Sequence, residues 1–150
     1  MEGETLHDAY EELKRVDHLI YVSLKYTRTV DVLKNVLARL ITCFDCVLDA
    51  ILKKAEDENK IFEAATAPRA KVNEIKGLYP DDEKLTAFLD FYLLLRDLDQ
   101  AEYTKSQEFR RHVTMHTQLK PDNIDVNIDL VTEYYHQSKD YLEYIVTLLV

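Results

Sequence analysis

Residues 108–116, EFRRHVTMH, gather two arginines and two histidines into nine positions of a chain that is otherwise strongly acidic. Arginine stays charged at any physiological pH and forks onto phosphate oxygens. Histidine titrates near neutrality and can take or give a proton. Over residues 104–121, TKSQEFRRHVTMHTQLKP, Lys105, Arg110, Arg111 and Lys120 oppose only Glu108, a net +3. The formal charge of the chain is −9, so the remaining residues carry −12. A positive island of this kind attracts a phosphate while the rest of the surface repels non-specific nucleic acid. Arg110, Lys105 and Lys120 are the candidate phosphate-binding residues, beside Arg111, His112 and His116. The alternative is a solvated helix face on which Glu108 pairs with a nearby arginine.

Two chemistries can use these residue types. On a helix Glu108, His112 and His116 would form one polar column, resembling a two-histidine, one-carboxylate metal set. The outer pair would lie about 12 Å apart at 1.5 Å per residue. One ion needs ligand atoms about 2 Å away, and the flanking arginines oppose a cation, so no metal or other cofactor is expected. Cleavage of RNA without a metal fits better. Histidine can take the proton of the ribose 2′-hydroxyl, and arginine can hold the charge that builds on the phosphorane.

The elements that must position these residues are helical. The chain has 150 residues, enough for one domain with a real core, and only 2 glycines and 3 prolines interrupt it. Residues 5–26 repeat apolar positions at Leu6, Tyr10, Leu13, Val16, Ile20 and Leu24. Residues 29–55 carry the strongest stripe, Val30, Leu33, Leu37, Leu40, Phe44, Val47 and Ile51, widened by Val36, Ile41, Leu48 and Leu52. Gly77 and Pro80 close a short helix. Asp81 and Asp82 start another, with Leu85, Phe88, Leu89, Tyr92 and Leu95 on one side. After Lys120-Pro121-Asp122-Asn123 breaks the chain, Val131, Tyr134, Tyr135, Ser138, Tyr141, Leu142, Ile145 and Leu149 share one face of a last helix. No stretch reads as a β-strand. The expected fold is an all-α, up-and-down bundle of four or five helices, a single domain spanning residues 1–150.

Other side chains offer less. Cys43 and Cys46 spell C-F-D-C inside the strongest helical pattern, with no second pair to complete a zinc site, so they read as small core hydrophobes. The clustered tyrosines, Tyr134, Tyr135, Tyr141 and Tyr144, suit packing with the hydroxyl at the surface. His7, His18 and His136 read as surface residues. The first residues, MEGETLHDAYEELKR, are charged and lack a signal-peptide core. Apolar runs are too short to span a bilayer, and a cytoplasmic setting with no membrane partner is expected.

Arg111-His112-Val113-Thr114-Met115-His116 fits R-x4-H with a polar residue straight after the arginine. In this the chain resembles the HEPN superfamily, small α-helical domains many of which are metal-independent endoribonucleases. In that family the motif follows a long helix pair and precedes a final helix, an order repeated here. The resemblance implies that Arg111 and His116 form the catalytic pair and that His112 orients the site or touches phosphate. It implies RNA or a nucleotide as ligand. It also implies a homodimer whose facing motifs make a composite site, and an antitoxin or regulatory protein as a further partner. Residues five apart sit about 140° around a helix, so a helix end or a second subunit must bring Arg111 and His116 together. Some members with a toxin role carry a tyrosine two residues past the motif histidine; Thr117 and Gln118 stand there instead. The same resemblance allows a domain that binds nucleotide, RNA or protein without cleavage. A purely structural partner assembled through the Val30–Ile51 stripe is the third reading. The acidic remainder excludes a protein that coats DNA.

Overall fold

The period-3.6 apolar stripes do become helices, and the longest of them organises the molecule. The computed structural model describes the backbone of residues 2–150 and the side chains from Thr5 onward. Helix α1 (Glu2–His18) widens into a π-helical turn (Leu19–Ser23) and ends in a single turn, α2 (Leu24–Tyr26). Helix α3 (Val30–Asp57) follows; Thr29 caps it by accepting the N–H of Val32 at 3.3 Å. Asn59, at φ 60°, closes it in the left-handed conformation that asparagine tolerates. Helix α4 (Pro68–Leu78) begins on a proline, whose missing N–H costs nothing at that position. Helix α5 (Glu83–Gln100) is capped by Asp82, which accepts the N–H of Leu85 at 2.9 Å. Helix α6 (Ile128–Leu149) is capped by Asn127 through the N–H of Leu130 at 2.8 Å.

Helix α3 is the axis of the core, with α1, α4, α5 and α6 packed on it. All eleven residues of its expected stripe, from Val30 to Leu52, are buried. The stripes of α5 and α6 are buried as expected, save that Tyr141 is only half-buried. On α1 the inward position belongs to Ala9; Tyr10 lies at the edge of the stripe and stays 41% exposed. Among the described residues no helix is long and apolar enough to cross a membrane.

One part of the all-α expectation is corrected. The stretch between α5 and α6 folds as a three-stranded antiparallel sheet, β1 (Tyr103–Ser106), β2 (Thr114–Thr117) and β3 (Asp125–Asn127), in the order β1-β2-β3. Met115 lies opposite Lys105 and Val126, and His116 lies opposite Thr104 and Asp125. The physical reason is a period of two. Val113, Met115 and Thr117 turn inward and are buried, while His112, Thr114, His116 and Gln118 turn outward. A helix would have scattered these apolar side chains; a strand lays them, with Val126, on the bundle.

Several tyrosine hydroxyls donate to carboxylates at the rims of the helices: Tyr92 to Asp45 at 2.5 Å, Tyr135 to Asp17 at 2.8 Å and Tyr144 to Asp82 at 2.7 Å. Burial and the adjacent carboxylate push the phenols of Tyr92 and Tyr135 well above the usual tyrosine range. For Tyr144 the bond to Asp82 is the larger cause. Folding therefore favours the protonated phenol. This contribution is complete below the unfolded-chain value of about 10 and is lost as pH rises through the folded values. In an absorbance titration these phenols should ionise late and together with loss of helical circular dichroism. Early, independent ionisation of all 10 tyrosines would contradict the bonds.

Candidate active site

The basic stretch is held by contacts that begin with its one acid. Gln107 and Phe109 both adopt positive φ, 56° and 66°, turning the chain twice between β1 and β2. Arg110 donates its N–H to the Gln107 carbonyl at 3.1 Å, and Val113 to that of Arg110 at 3.0 Å. The turn is moored to the start of α3. Glu108 accepts the N–H of Val30 at 3.1 Å, and Phe109 donates its N–H to the Arg28 carbonyl at 2.6 Å. A carboxylate at the first turn of a long helix also meets the positive end of its dipole. Glu108 further pairs with Lys105 at 3.6 Å. Glu108→Ala should destabilise the fold by about 1 kcal/mol, the usual cost of losing a cap. Urea unfolding would measure this, and amide exchange over residues 107–113 should quicken.

With Glu108 engaged in this way, Arg110, Arg111 and His112 stand exposed. The proposed helical column of Glu108, His112 and His116 does not form, because the residues lie in a turn and a strand. Among the described residues no three His, Cys, Asp or Glu side chains converge as a metal site would require. Arg111 and His112 line a small hollow with Thr114, Asn127, Ile128 and Asp129, at the N-terminus of α6.

His116 lies on the outer face of the sheet, two positions along β2 from Thr114 and so about 7 Å from that row. Its ring is fixed from both sides. Nδ1 is 2.9 Å from Asp125 Oδ1 on β3, and Nε2 is 2.6 Å from Ser106 Oγ on β1. A carboxylate on Nδ1 makes that atom the protonated one and leaves the Nε2 lone pair facing a hydroxyl. The ring is 42% exposed, so solvent and ligands reach it. Ser106 and Asp125 are part of this arrangement, yet nothing in the spacing of the sequence points to them. Their link to His116 comes from strand register.

The expected phosphate cluster is only partly assembled. Arg110 and Arg111 share the 107–113 turn, and Lys105 lies on the adjacent strand, tied to Glu108. Lys120 lies in the β2–β3 connection, at the opposite end of the sheet, and is separated from the arginines. Arg111 lies in the turn before β2 and His116 five residues further on, inside the strand, so the two are spaced along an extended chain rather than around a helix. Cys43 is buried in α3 and Cys46 half-buried, both as free thiols. Burial is the first cause that raises each thiol above its usual range, which suits core packing and opposes nucleophilic or ligand roles.

No protein-family model matches the chain, and the comparisons with curated proteins and with solved structures return no match.

Proposed function

We propose that the outer face of the sheet is the site of a metal-independent endoribonuclease of the HEPN type. The observation that carries this reading is the ring of His116. Its Nδ1 is tied to Asp125 and its Nε2 presented to a hydroxyl at 2.6 Å, two positions along β2 from Thr114 at the edge of the Arg111–His112 hollow. In the reaction a ribose 2′-hydroxyl takes the place that Ser106 Oγ occupies and gives its proton to Nε2. The 2′ oxygen attacks phosphorus, the P–O5′ bond breaks, and a 2′,3′-cyclic phosphate forms. Arg111 binds the non-bridging oxygens as negative charge accumulates on them. His112 touches phosphate at the hollow, and the departing 5′ oxygen takes its proton from solvent. A homodimer is part of the proposal: an open outer face leaves room for a second copy to bring its own Arg111 and His116 opposite the first.

A second reading is favoured by one observation. Ser106 Oγ, His116 and Asp125 stand in the order of a nucleophile, base and orienting acid, so the hydroxyl deprotonated could be that of Ser106 itself, in an acyl-transfer hydrolase. Arg111, at a hollow that also holds Asp129, suits a phosphate better than a neutral ester.

The deciding experiment is cleavage of RNA in EDTA by wild type, Arg111→Ala and His116→Ala, with the product ends analysed. Cleavage by wild type alone, leaving cyclic phosphate ends, supports the ribonuclease. Equal inertness of all three across varied RNAs overturns it.

A further inference from the structure

Phe109 is placed at a cost that its own chain does not recover. A phenylalanine at φ 66° is in a backbone region that few residues other than glycine adopt. Its ring is also 77% exposed, so the large apolar surface brings no burial in return. Glycine or asparagine would serve the turn better, and a polar side chain would serve the surface better. The position is nonetheless held firmly, by the bond from its N–H to the Arg28 carbonyl and by Glu108 at the start of α3. Two residues before Arg28 stands Tyr26, whose ring is 85% exposed. Two exposed aromatic residues are therefore carried on segments joined by a single backbone bond.

Four cations and three acids stand around them, and one of the acids is already engaged. Lys25, Arg110 and Arg111 are exposed and Arg28 is half-buried; the Arg28 Nε donates to the Leu24 carbonyl at 3.1 Å. The nearby acids are Asp31, Asp129 and Glu108, the last of these turned toward the Val30 N–H and Lys105. Interleaved aromatic and cationic side chains bind unpaired nucleotides: the rings stack on bases and the cations follow the backbone. A protein partner would be served by a neutral apolar patch, whereas Phe109 lies within the positive stretch 104–121.

We propose that the Phe109 turn is a stacking platform for single-stranded RNA. Phe109 takes the face of an unpaired base, and Arg110 and Arg111 hold the flanking phosphates. Tyr26 receives a neighbouring base. The inference rests on the ribonuclease reading for its RNA and defines the substrate of that site as an unpaired segment, since a base inside a duplex cannot offer its face to a ring.

The chain contains no tryptophan, so Phe109→Trp installs a sole reporter at the platform. The probe is a short 2′-O-methyl oligoadenylate, which lacks the free 2′-hydroxyl and cannot be cleaved by the proposed route. Saturable quenching of the Trp emission by this single strand, but not by polyphosphate or a blunt RNA duplex, is the expected result. Phe109→Ala should weaken binding about 5- to 150-fold, the range of one base–aromatic stack, and Phe109→Tyr should restore it. Phe109→Gly should lose affinity equally while its melting temperature holds or rises, which separates binding from folding. Quenching by polyphosphate to the same extent, or an affinity unchanged in Phe109→Ala, overturns the platform. A blue shift of the Trp emission with protein concentration alone also overturns it, because the ring would then be buried against a second copy. Cleavage of unmodified RNA in EDTA is measured alongside. Cleavage that persists in Phe109→Ala at unchanged affinity removes the platform and leaves the ribonuclease. Quenching without any cleavage does the reverse.

Discussion

His116→Ala is expected to lower the rate of RNA cleavage by about 10²–10⁴-fold, the usual contribution of a positioned general base, with the fold intact. The ring is exposed on the outer face of the sheet, and its inward neighbours Met115 and Thr117 remain to hold β2. Two further substitutions separate what the ring does from what holds it. Asp125→Asn removes the charge that makes Nδ1 the protonated atom, while keeping a side chain able to reach it at 2.9 Å. It should reduce the rate without affecting RNA affinity, because Asp125 orients the base and does not touch phosphate. Ser106→Ala distinguishes the two reactions the site could perform. If the ribose 2′-hydroxyl is the nucleophile, Ser106 only occupies its place, and the variant should cleave RNA within about tenfold of wild type. If Ser106 is itself the nucleophile, the wild type should react with a serine-directed fluorophosphonate and hydrolyse an ester, and Ser106→Ala should be as inactive toward that ester as His116→Ala. Arg111→Ala should cost about 10²–10³-fold and, unlike Asp125→Asn, should also weaken binding and flatten its salt dependence.

Much of this architecture is legible in the sequence, and the limits of legibility have physical causes. The stripe from Val30 to Leu52 repeats over enough turns for its period to be unmistakable, and Gly77 with Pro80 marks one helix end as Asp82 marks the next start. The strands are another matter. They are three or four residues long, shorter than the windows over which a period can be established. The one available signal is the alternation in His112-Val113-Thr114-Met115-His116, apolar side chains in every second place. That signal is easily lost, because Glu108, His112 and His116 also fit a helical step of four. The reading of the site divides the same way. Arg111, His112 and His116 stand out by residue type and local charge. Ser106 and Asp125 do not, since the register that sets them beside His116 spans ten and nine residues and depends on two turns. Lys120 stands close to the arginines in sequence, but β2 runs between them and carries the two to opposite ends. Phe109 is invisible as anything but an apolar residue until its ring is seen outside the core.

The largest stability effect is expected at Phe44, in the middle of α3. Its ring is fully buried and meets Phe88 edge-on at 4.8 Å and Phe91 at 5.9 Å, both on α5. Phe91 in turn packs against Tyr134 and Tyr141 of α6, at 5.2 and 5.8 Å. Phe44 thus joins three helices through one aromatic cluster. Phe44→Ala removes both the transfer free energy of the ring and its contacts, and neighbours fixed on three long helices cannot close the space. A loss of about 3–5 kcal/mol follows, a large part of the 5–15 kcal/mol by which domains of this kind are stable. Phe44→Leu fills most of the volume and should cost much less. Urea unfolding followed by circular dichroism would measure both. A loss below about 1 kcal/mol for the alanine variant would mean that the α3–α5 seam is not packed in this way. The consequence reaches the site, because Val30 and Arg28 at the start of α3 are what the Glu108–Phe109 turn is moored to. Under conditions where Phe44→Ala is still folded, α3 should fray more readily, and amide exchange should quicken at Val30 and Phe109 together. Exchange that quickens in α3 and α5 but leaves Phe109 unchanged would show that the turn holds its shape without the helix beneath it.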